Sequence, residues 1–152
     1  MSEDYDDAWY GPVYEHVKEV GRLLGFDIRG IRFSGFWSQG DGASWFGYVM
    51  LKNAKLQEAL EYVPDNTRIR AIVEELAPLV LLPKVEFFAA YTNSRYCHEN
   101  TMEIQYIIGN EEYVDERIEQ SIEWAVKEFA KWIYKQLEEE YEYQHNNEET
   151  NI

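Results

Sequence analysis

Cysteine, long apolar runs and positive charge are all scarce in this sequence. One cysteine, Cys97, occurs among the 152 residues, which excludes a disulfide within the chain. The longest apolar run, from Pro78 to Pro83, is far shorter than the roughly 20 residues of a membrane-spanning helix. The first residues, MSEDYDDAWYG, contain neither the basic nor the apolar segment of a secretory signal. These absences predict a cytoplasmic protein without a membrane anchor.

The scarcity of positive charge restricts the class of partner. The chain has 14 Lys and Arg residues against 29 Asp and Glu residues, which gives a formal net charge of −15. Direct binding to DNA, RNA or an anionic membrane is disfavoured, because those partners require clusters of basic side chains. A large negative charge instead steers cationic surfaces toward the protein over long distances. We therefore expect a protein partner and no direct contact with nucleic acid or membrane.

Motifs for metals, cofactors and phosphate loops are also missing. The 3 histidines and the single cysteine show no zinc-ligand spacing, and no calcium-binding loop of alternating aspartates occurs. The glycine-rich stretch FSGFWSQGDGASWFGY, residues 33–48, lacks the lysine of a phosphate loop and does not lead into a helix as a dinucleotide fingerprint does. The sequence predicts no cofactor, no metal and no assigned catalytic residue, and it favours a binding protein over an enzyme.

The hydrophobic pattern predicts a single α+β domain over residues 1–152. Hydrophobic residues make up 45% of the chain, which is enough for a packed core. Segments of helical and alternating periodicity follow one another in the order α-β-β-α-α-β-β-α. We expect two β-hairpins forming an antiparallel sheet that is packed by helices. The acidic residues 1–7 and the polar residues 145–152 are expected to be frayed.

Local signals place several helix ends. Pro12 suits the first turn of an opening helix, and Gly25 suits its C-terminal end. Asn53 is predicted to cap one short helix, and Asp65 or Asn66 to cap the next.

A long C-terminal helix of roughly 28 residues follows from an apolar stripe with steps of three and four residues. Trp124 and Trp132 lie off this stripe, so they either widen the buried face or contact a partner, including a second copy of the chain. The stripe consists of Val114, Ile118, Ile122, Val126, Phe129, Ile133, Leu137 and Tyr141.

The glycine-rich stretch is predicted to be the turn of the first hairpin. Gly40 and Gly42 flank Asp41 in the turn, while Gly35 and Gly47 indicate bulges or a close approach of backbones. The polar residues of this turn, together with those of the second hairpin turn, are candidates for a ligand pocket or a protein contact. The candidate residues are Trp37, Ser38, Gln39, Asp41, Tyr96 and His98.

A row of glutamates at the start of the C-terminal helix is the second candidate surface. Glu112, Glu116, Glu119 and Glu123 follow one another at steps of four, three and four residues. Residues four apart lie about 6 Å apart along a helix axis, which is within a factor of two of the charge spacing along a DNA strand. The row therefore has either the role of a nucleic-acid mimic or that of a solvated helix face. Three lysines interrupt it further on: Lys127, Lys131 and Lys135.

Three blocks of the sequence resemble a family of small acidic proteins encoded by tailed phages and prophages. The blocks are FSGFWSQGDGAS, RYCHENTME and WIYKQLEEEYEY, in the same order as in that family, with Trp45 where the family usually has phenylalanine. Members are sometimes labelled antitoxin-like. The resemblance implies a phage-linked accessory protein in the bacterial host cell, and the family's polar positions match Ser38, Gln39, Asp41, Tyr96 and His98.

We expect this protein to be an inhibitor of a host defence or nucleic-acid-processing protein, of the anti-CRISPR or anti-restriction type. Its acidic surface would occupy a groove that normally takes nucleic acid. Two alternatives remain open. One is a binder or enzyme for a nucleotide-type small molecule at Ser38, Gln39, Asp41 and His98, with the ligand stacked on Trp37 or Trp45. The other is an antitoxin that neutralises a cognate toxin.

Overall fold

A computed structural model describes residues 9–36, 41–81, 86–91, 100, 102–106 and 116–150. Four α-helices occur in these residues: α1 (Gly11–Leu24), α2 (Leu56–Tyr62), α3 (Thr67–Leu76) and α4 (Glu116–Thr150). The strands are β1 (Phe26–Phe33), β2 (Ala43–Met50), β3 (Glu86–Tyr91) and β4 (Met102–Tyr106). The expected mixture of helices and antiparallel strands with a long C-terminal helix is confirmed.

The strands lie in the sheet in the order β1-β2-β3-β4, and each neighbouring pair is antiparallel. Strands β1 and β3 consequently run in the same direction. The chain therefore leaves β1 at Phe33 and β3 at Tyr91 from the same end of the sheet. This topology brings the starts of both hairpin connections to one end of the sheet.

Helices α1 and α4 pack on one face of the sheet, against β1 and β2. Trp45 and Val49 of β2 face these helices and are fully buried, whereas Phe46, Tyr48 and Met50 on the other face are half-buried. The ring of Trp45 stacks on Phe26 with centroids 5.1 Å apart. Its indole N–H donates to the carbonyl oxygen of Val126 in α4 over 3.2 Å. A single side chain thus ties the sheet to the long helix.

Two glycines occupy backbone positions at which any other residue would be strained. Gly47 has φ +155°, and a Cβ atom there would overlap the carbonyl oxygen of Asp27 on the neighbouring strand. The close approach predicted at Gly47 is therefore confirmed. Gly25 ends α1 in the left-handed conformation, with φ +91°, and its N–H donates to the carbonyl oxygen of Arg22.

The helix starts agree with the sequence in two cases and disagree in one. Pro12 lies in the first turn of α1, and the Oδ1 atom of Asn66 accepts the N–H of Ile69 over 2.9 Å at the start of α3. The prediction that Asn53 caps α2 was wrong. Asn53 ends a 3-10 turn, and the N–H of Lys55 donates to the carbonyl oxygen of Leu23 over 2.8 Å. Because Lys55 is hydrogen-bonded to the end of α1, α2 begins only at Leu56.

The apolar stripe of α4 faces the core as predicted from Ile118 onward, and Val114 lies outside the described residues. Trp132 adds to this buried face at 2% exposure, whereas Trp124 is 40% exposed. Helix α4 has 35 residues and extends to Thr150. It is therefore longer than the roughly 28 residues predicted, and the fraying predicted from residue 145 does not occur up to Thr150. The fully buried members of the stripe are Ile122, Val126, Phe129, Ile133 and Leu137. The fraying predicted for residues 1–7 lies outside the described residues.

No helix in the described ranges is long and apolar enough to cross a membrane.

Candidate functional site

The base of the first hairpin turn is closed by hydrogen bonds between Ser34 and the residues that precede β2. The hydroxyl of Ser34 donates to Oδ1 of Asp41 over 3.1 Å and accepts the N–H of Gly42 over 3.3 Å. The N–H of Ser34 donates to the carbonyl oxygen of Gly42 over 3.2 Å. At Gly35, a Cβ atom would lie 3.0 Å from Oδ2 of Asp41, so a small residue leaves room for the carboxylate. These contacts fix the position of Asp41.

Aromatic rings anchor the same turn to the helices. Phe36 lies 5.4 Å from Tyr134 and 5.0 Å from Tyr141, both in α4, measured between ring centroids. Trp9, just before α1, contacts Phe33 at 6.0 Å and Tyr141 at 5.6 Å. Aromatic pairs at these distances stabilise a fold beyond simple burial. The turn is therefore presented from a packed aromatic base.

A cavity of about 380 Å³ lies where this turn meets the start of α3 and the middle of α4. Three basic side chains line it, Arg68 from α3 and Lys131 and Lys135 from α4, against one acidic side chain, Asp41. The remaining lining residues are Gly42, Asn66, Thr67, Trp132 and Tyr134. In a chain with net charge −15, the walls of this cavity carry an excess of basic groups.

Each of the three basic side chains forms an ion pair with a glutamate that does not itself line the cavity. The Nζ atom of Lys131 lies 3.1 Å from Glu128, and that of Lys135 lies 3.6 Å from Glu138. The Nε atom of Arg68 lies 3.7 Å from Glu128. The basic partners in these pairs are 43 to 62% exposed, so each pair adds little stability and its basic group remains open to exchange of partners.

Two aromatic side chains complete the cavity wall. Burial, together with the nearby carboxylates of Glu138 and Asp41, raises the pKa of the Tyr134 phenol, which stays protonated at neutral pH. The indole N–H of Trp132 is buried and has no hydrogen-bond acceptor among the residues that the structure describes. The arrangement combines positive charge with the neutral phenol and the ring of Tyr134, which are components of a site for an anionic small molecule.

The predicted glutamate row is described from Glu116 onward, and Glu112 lies outside the described residues. Glu116, Glu119 and Glu123 are all exposed, and their steps of three and four residues place them on one side of α4. We call these three residues the acidic row. Glu123 forms an ion pair of 3.0 Å with Lys127, whereas no ion pair to Glu116 or Glu119 occurs within the described part of the chain.

The predicted hairpin residues are only partly covered by the structure. Trp37, Ser38, Gln39, Tyr96 and His98 lie outside the described residues, so their grouping, including an acid–base pair of His98 with Asp41, remains a prediction.

Asp41 lines the cavity. The prediction that a ligand could stack on Trp45 was wrong. The Trp45 ring is fully buried, and its N–H donates a hydrogen bond to the carbonyl oxygen of Val126 in α4.

Sequence reasoning missed the basic part of the cavity. Lys131 and Lys135 were seen only as interruptions of the acidic row, although basic residues four apart in so acidic a chain are a signal in themselves. Arg68 and Thr67 gave no signal, because only the packing of α3 against α4 brings them to the same place. Among the described residues, no group of three His, Cys, Asp or Glu side chains is arranged to hold a metal ion.

Comparison with known proteins identifies the chain at the level of a domain family alone. The family model described as "Domain of unknown function (DUF8835)" matches residues 9–147, which is most of the chain. No curated protein and no solved structure matches it. The function must therefore be argued from the residues of this chain.

Proposed function

Because this chain belongs to the domain family DUF8835, whose function is unknown, we propose a function from its own surface. It is a phage-encoded inhibitor that acts in the cytoplasm of the bacterial host. Its target is a host defence or nucleic-acid-processing protein of the kind addressed by anti-CRISPR and anti-restriction proteins. The acidic row of α4 occupies the basic groove in which that target holds nucleic acid.

The observation that supports this proposal is the exposure of the acidic row on a rigid helix. Along the axis of α4, Glu116 and Glu119 are separated by about 4.5 Å and Glu119 and Glu123 by about 6 Å. Phosphate charges along one DNA strand recur about every 3.4 Å of helix axis, so the carboxylate spacing is of the same order. A groove lined by arginine and lysine for phosphates would also accept these carboxylates.

The buried apolar side of α4 holds the acidic row in place, which favours binding of a partner. Ile122 and Val126, on the turns that carry the row, are fully buried. The glutamate backbones are therefore already ordered before a partner arrives. Preorganisation of this kind lowers the entropic cost of association. The net charge of −15 adds long-range steering toward a basic groove.

The proposal is tested by affinity capture from bacterial lysate with a charge-reversed variant. Tagged wild-type protein is compared with a Glu116→Lys, Glu119→Lys double variant at about 50 mM and about 200 mM salt. The matched control is Glu139→Lys, Glu142→Lys, which reverses two exposed glutamates at the other end of α4. We expect wild type and control to retain a nucleic-acid-binding protein at low salt, and the row variant to lose it.

Either of two outcomes contradicts the proposal. One is a partner that the row variant retains as well as wild type does; the other is a partner that both double variants lose equally. An antitoxin would use the same acidic row on a basic toxin, so capture of a toxin that binds no nucleic acid assigns that alternative instead.

A further inference from the structure

We propose that the cavity between the first hairpin turn, the start of α3 and the middle of α4 binds the phosphate group of a small phosphorylated molecule. The proposal does not depend on the acidic row. It depends on the convergence of Arg68, Lys131 and Lys135 with the first turn of α3 on one open volume.

The charged side chains that line the cavity are mostly basic, although the chain is mostly acidic. Acidic residues outnumber basic ones by 29 to 14 in the chain, yet basic side chains outnumber acidic ones by three to one in the lining. The basic groups come from two separate elements, since Arg68 belongs to α3 and both lysines belong to α4. Helix periodicity on α4 alone therefore does not account for the cluster.

The start of α3 adds backbone donors to these charges. Helix α3 has 10 residues, and the side chain of its cap Asn66 accepts the N–H of Ile69, while the backbone carbonyl of Asn66 accepts the N–H of Arg70. The earlier N–H groups of the first turn, at Thr67 and Arg68, precede the first α-helical hydrogen bonds. Free N–H groups and the helix dipole together favour an anion at this end of a helix. Thr67 also brings a hydroxyl to the lining.

Arg68 has most of its donors available for a phosphate. Its closest carboxylate contact, from Nε to Glu128, is 3.7 Å, which exceeds the length of a hydrogen bond. A guanidinium has five N–H donors in a planar fork that matches two oxygens of a phosphate. Lys131 shares the same carboxylate at 3.1 Å. A dianionic phosphate in the cavity would compete with the single charge of Glu128 for both cations.

The rest of the ligand has room and an aromatic wall. A volume of about 380 Å³ lies within the range of small-molecule sites, roughly 300 to 1,000 Å³. The half-buried ring of Tyr134 lines the cavity beside the basic groups, whereas Trp132 reaches the lining with only 2% of its surface exposed. Planar rings attached to a phosphate, as in a nucleoside monophosphate, would pack against such surfaces.

Asp41 gives the proposal a test with a defined sign. Its carboxylate lines the cavity and opposes an anion, while its Oδ1 atom accepts the hydrogen bond of Ser34 that closes the turn. Asp41→Asn removes the charge and keeps an oxygen acceptor. Phosphate binding should therefore strengthen in this variant, whereas binding of a cationic ligand would weaken.

The experiment measures binding of adenosine monophosphate, adenosine and inorganic phosphate by titration calorimetry at low salt. We expect the monophosphate to bind at least tenfold more tightly than adenosine. Arg68→Gln and Lys131→Gln should each weaken that binding by roughly tenfold or more, since hydrogen bonds to charged groups are the strong ones. The matched control is Lys127→Gln. Lys127 lies one turn from Lys131 and carries the same charge, but it does not line the cavity.

The three probes separate the sources of the phosphate group. Inorganic phosphate that binds as tightly as the monophosphate supports a site for the free ion, and tighter binding of the monophosphate supports an organic ligand. The proposal is overturned if neither adenosine monophosphate nor inorganic phosphate binds at millimolar concentration, or if Arg68→Gln and Lys131→Gln behave as Lys127→Gln does. The Glu116→Lys, Glu119→Lys variant should retain phosphate binding within about twofold, because those residues lie at least about 18 Å along α4 from Lys131. Failure of one proposal therefore leaves the other standing.

Discussion

The acidic row and the basic cavity lie on the same helix, yet they present opposite charges to solvent. About 18 Å along α4 separates Glu119 from Lys131. At the row, carboxylates stand on the surface of one helix; at the cavity, lysines of α4 meet Arg68 of α3 and the first hairpin turn. A net charge of −15 therefore describes the whole chain and not each of its surfaces. Tertiary packing decides where the minority charge gathers.

The largest expected effect is on the scaffold that the two regions share. Trp45 is fully buried and bonded to Val126, which lies between the row and the cavity on α4. Trp45→Ala should lower the free energy of unfolding by about 3 to 5 kcal/mol, the usual cost of emptying a large buried site. Urea denaturation followed by circular dichroism measures this change.

Trp124→Ala is the matched control for this substitution. Its side chain is 40% exposed, so the same truncation should change stability by about 0.5 kcal/mol or less. Similar losses for the two variants would show that the sheet and α4 are not held together as described. Both binding activities should weaken in Trp45→Ala, whereas surface variants should affect only one of them.

The next effect separates the two regions from each other. Reversing Glu116 and Glu119 should weaken binding of the captured partner by tenfold or more at low salt, because two attractive contacts become repulsive. Lys131→Gln should leave that binding within about twofold while it weakens phosphate binding. The two affinities, measured on both variants, provide the check. If each substitution changes both affinities equally, the row and the cavity are one surface and the comparison fails.

The smallest expected effect concerns His16, whose ring contacts Trp132, a residue of the cavity lining. Its ring lies 5.6 Å from Trp132 and 5.5 Å from Tyr62, and partial burial lowers the pKa of its imidazole. A lowered pKa in the folded state means that the unfolded state binds the proton more readily. Stability is therefore complete above the ordinary pKa of about 6.5 and falls as the pH decreases below it.

Thermal unfolding at pH 7.5 and pH 5.5 measures this dependence. Wild type should show a small decrease in Tm at the lower pH, and His16→Gln should show a smaller one, because the titrating group is gone. An equal decrease in both proteins would assign the pH dependence to other residues.

The fold was predictable where one local rule decides the outcome. The stripe from Ile122 to Leu137 follows the helical period and Gly25 ends α1, both as the sequence indicates. Of the two predicted candidates for the cap of α3, Asp65 and Asn66, the structure selects Asn66. Asn53 is the exception, because a backbone hydrogen bond to α1 outweighs its propensity to cap.

Strand β2 shows a limit of the alternating pattern. Trp45 and Val49 on one side and Phe46 and Tyr48 on the other are all apolar, so periodicity does not indicate which face meets the helices. Packing against α4 makes that choice. The cavity lies beyond sequence reasoning for a similar reason, since Asp41, Arg68 and Lys131 are far apart in the chain and are joined only by tertiary structure.

If the acidic row takes the place of nucleic acid on its target, the protein and the nucleic acid compete for one site, and a competition assay measures this. The captured target is saturated with fluorescently labelled nucleic acid, and wild-type protein is titrated in while anisotropy is recorded. We expect the wild-type protein to displace the nucleic acid, less effectively as salt increases, and the Glu116→Lys, Glu119→Lys variant not to displace it. Displacement by that variant as effective as by wild type, or a ternary complex in which the nucleic acid stays bound, would contradict the claim.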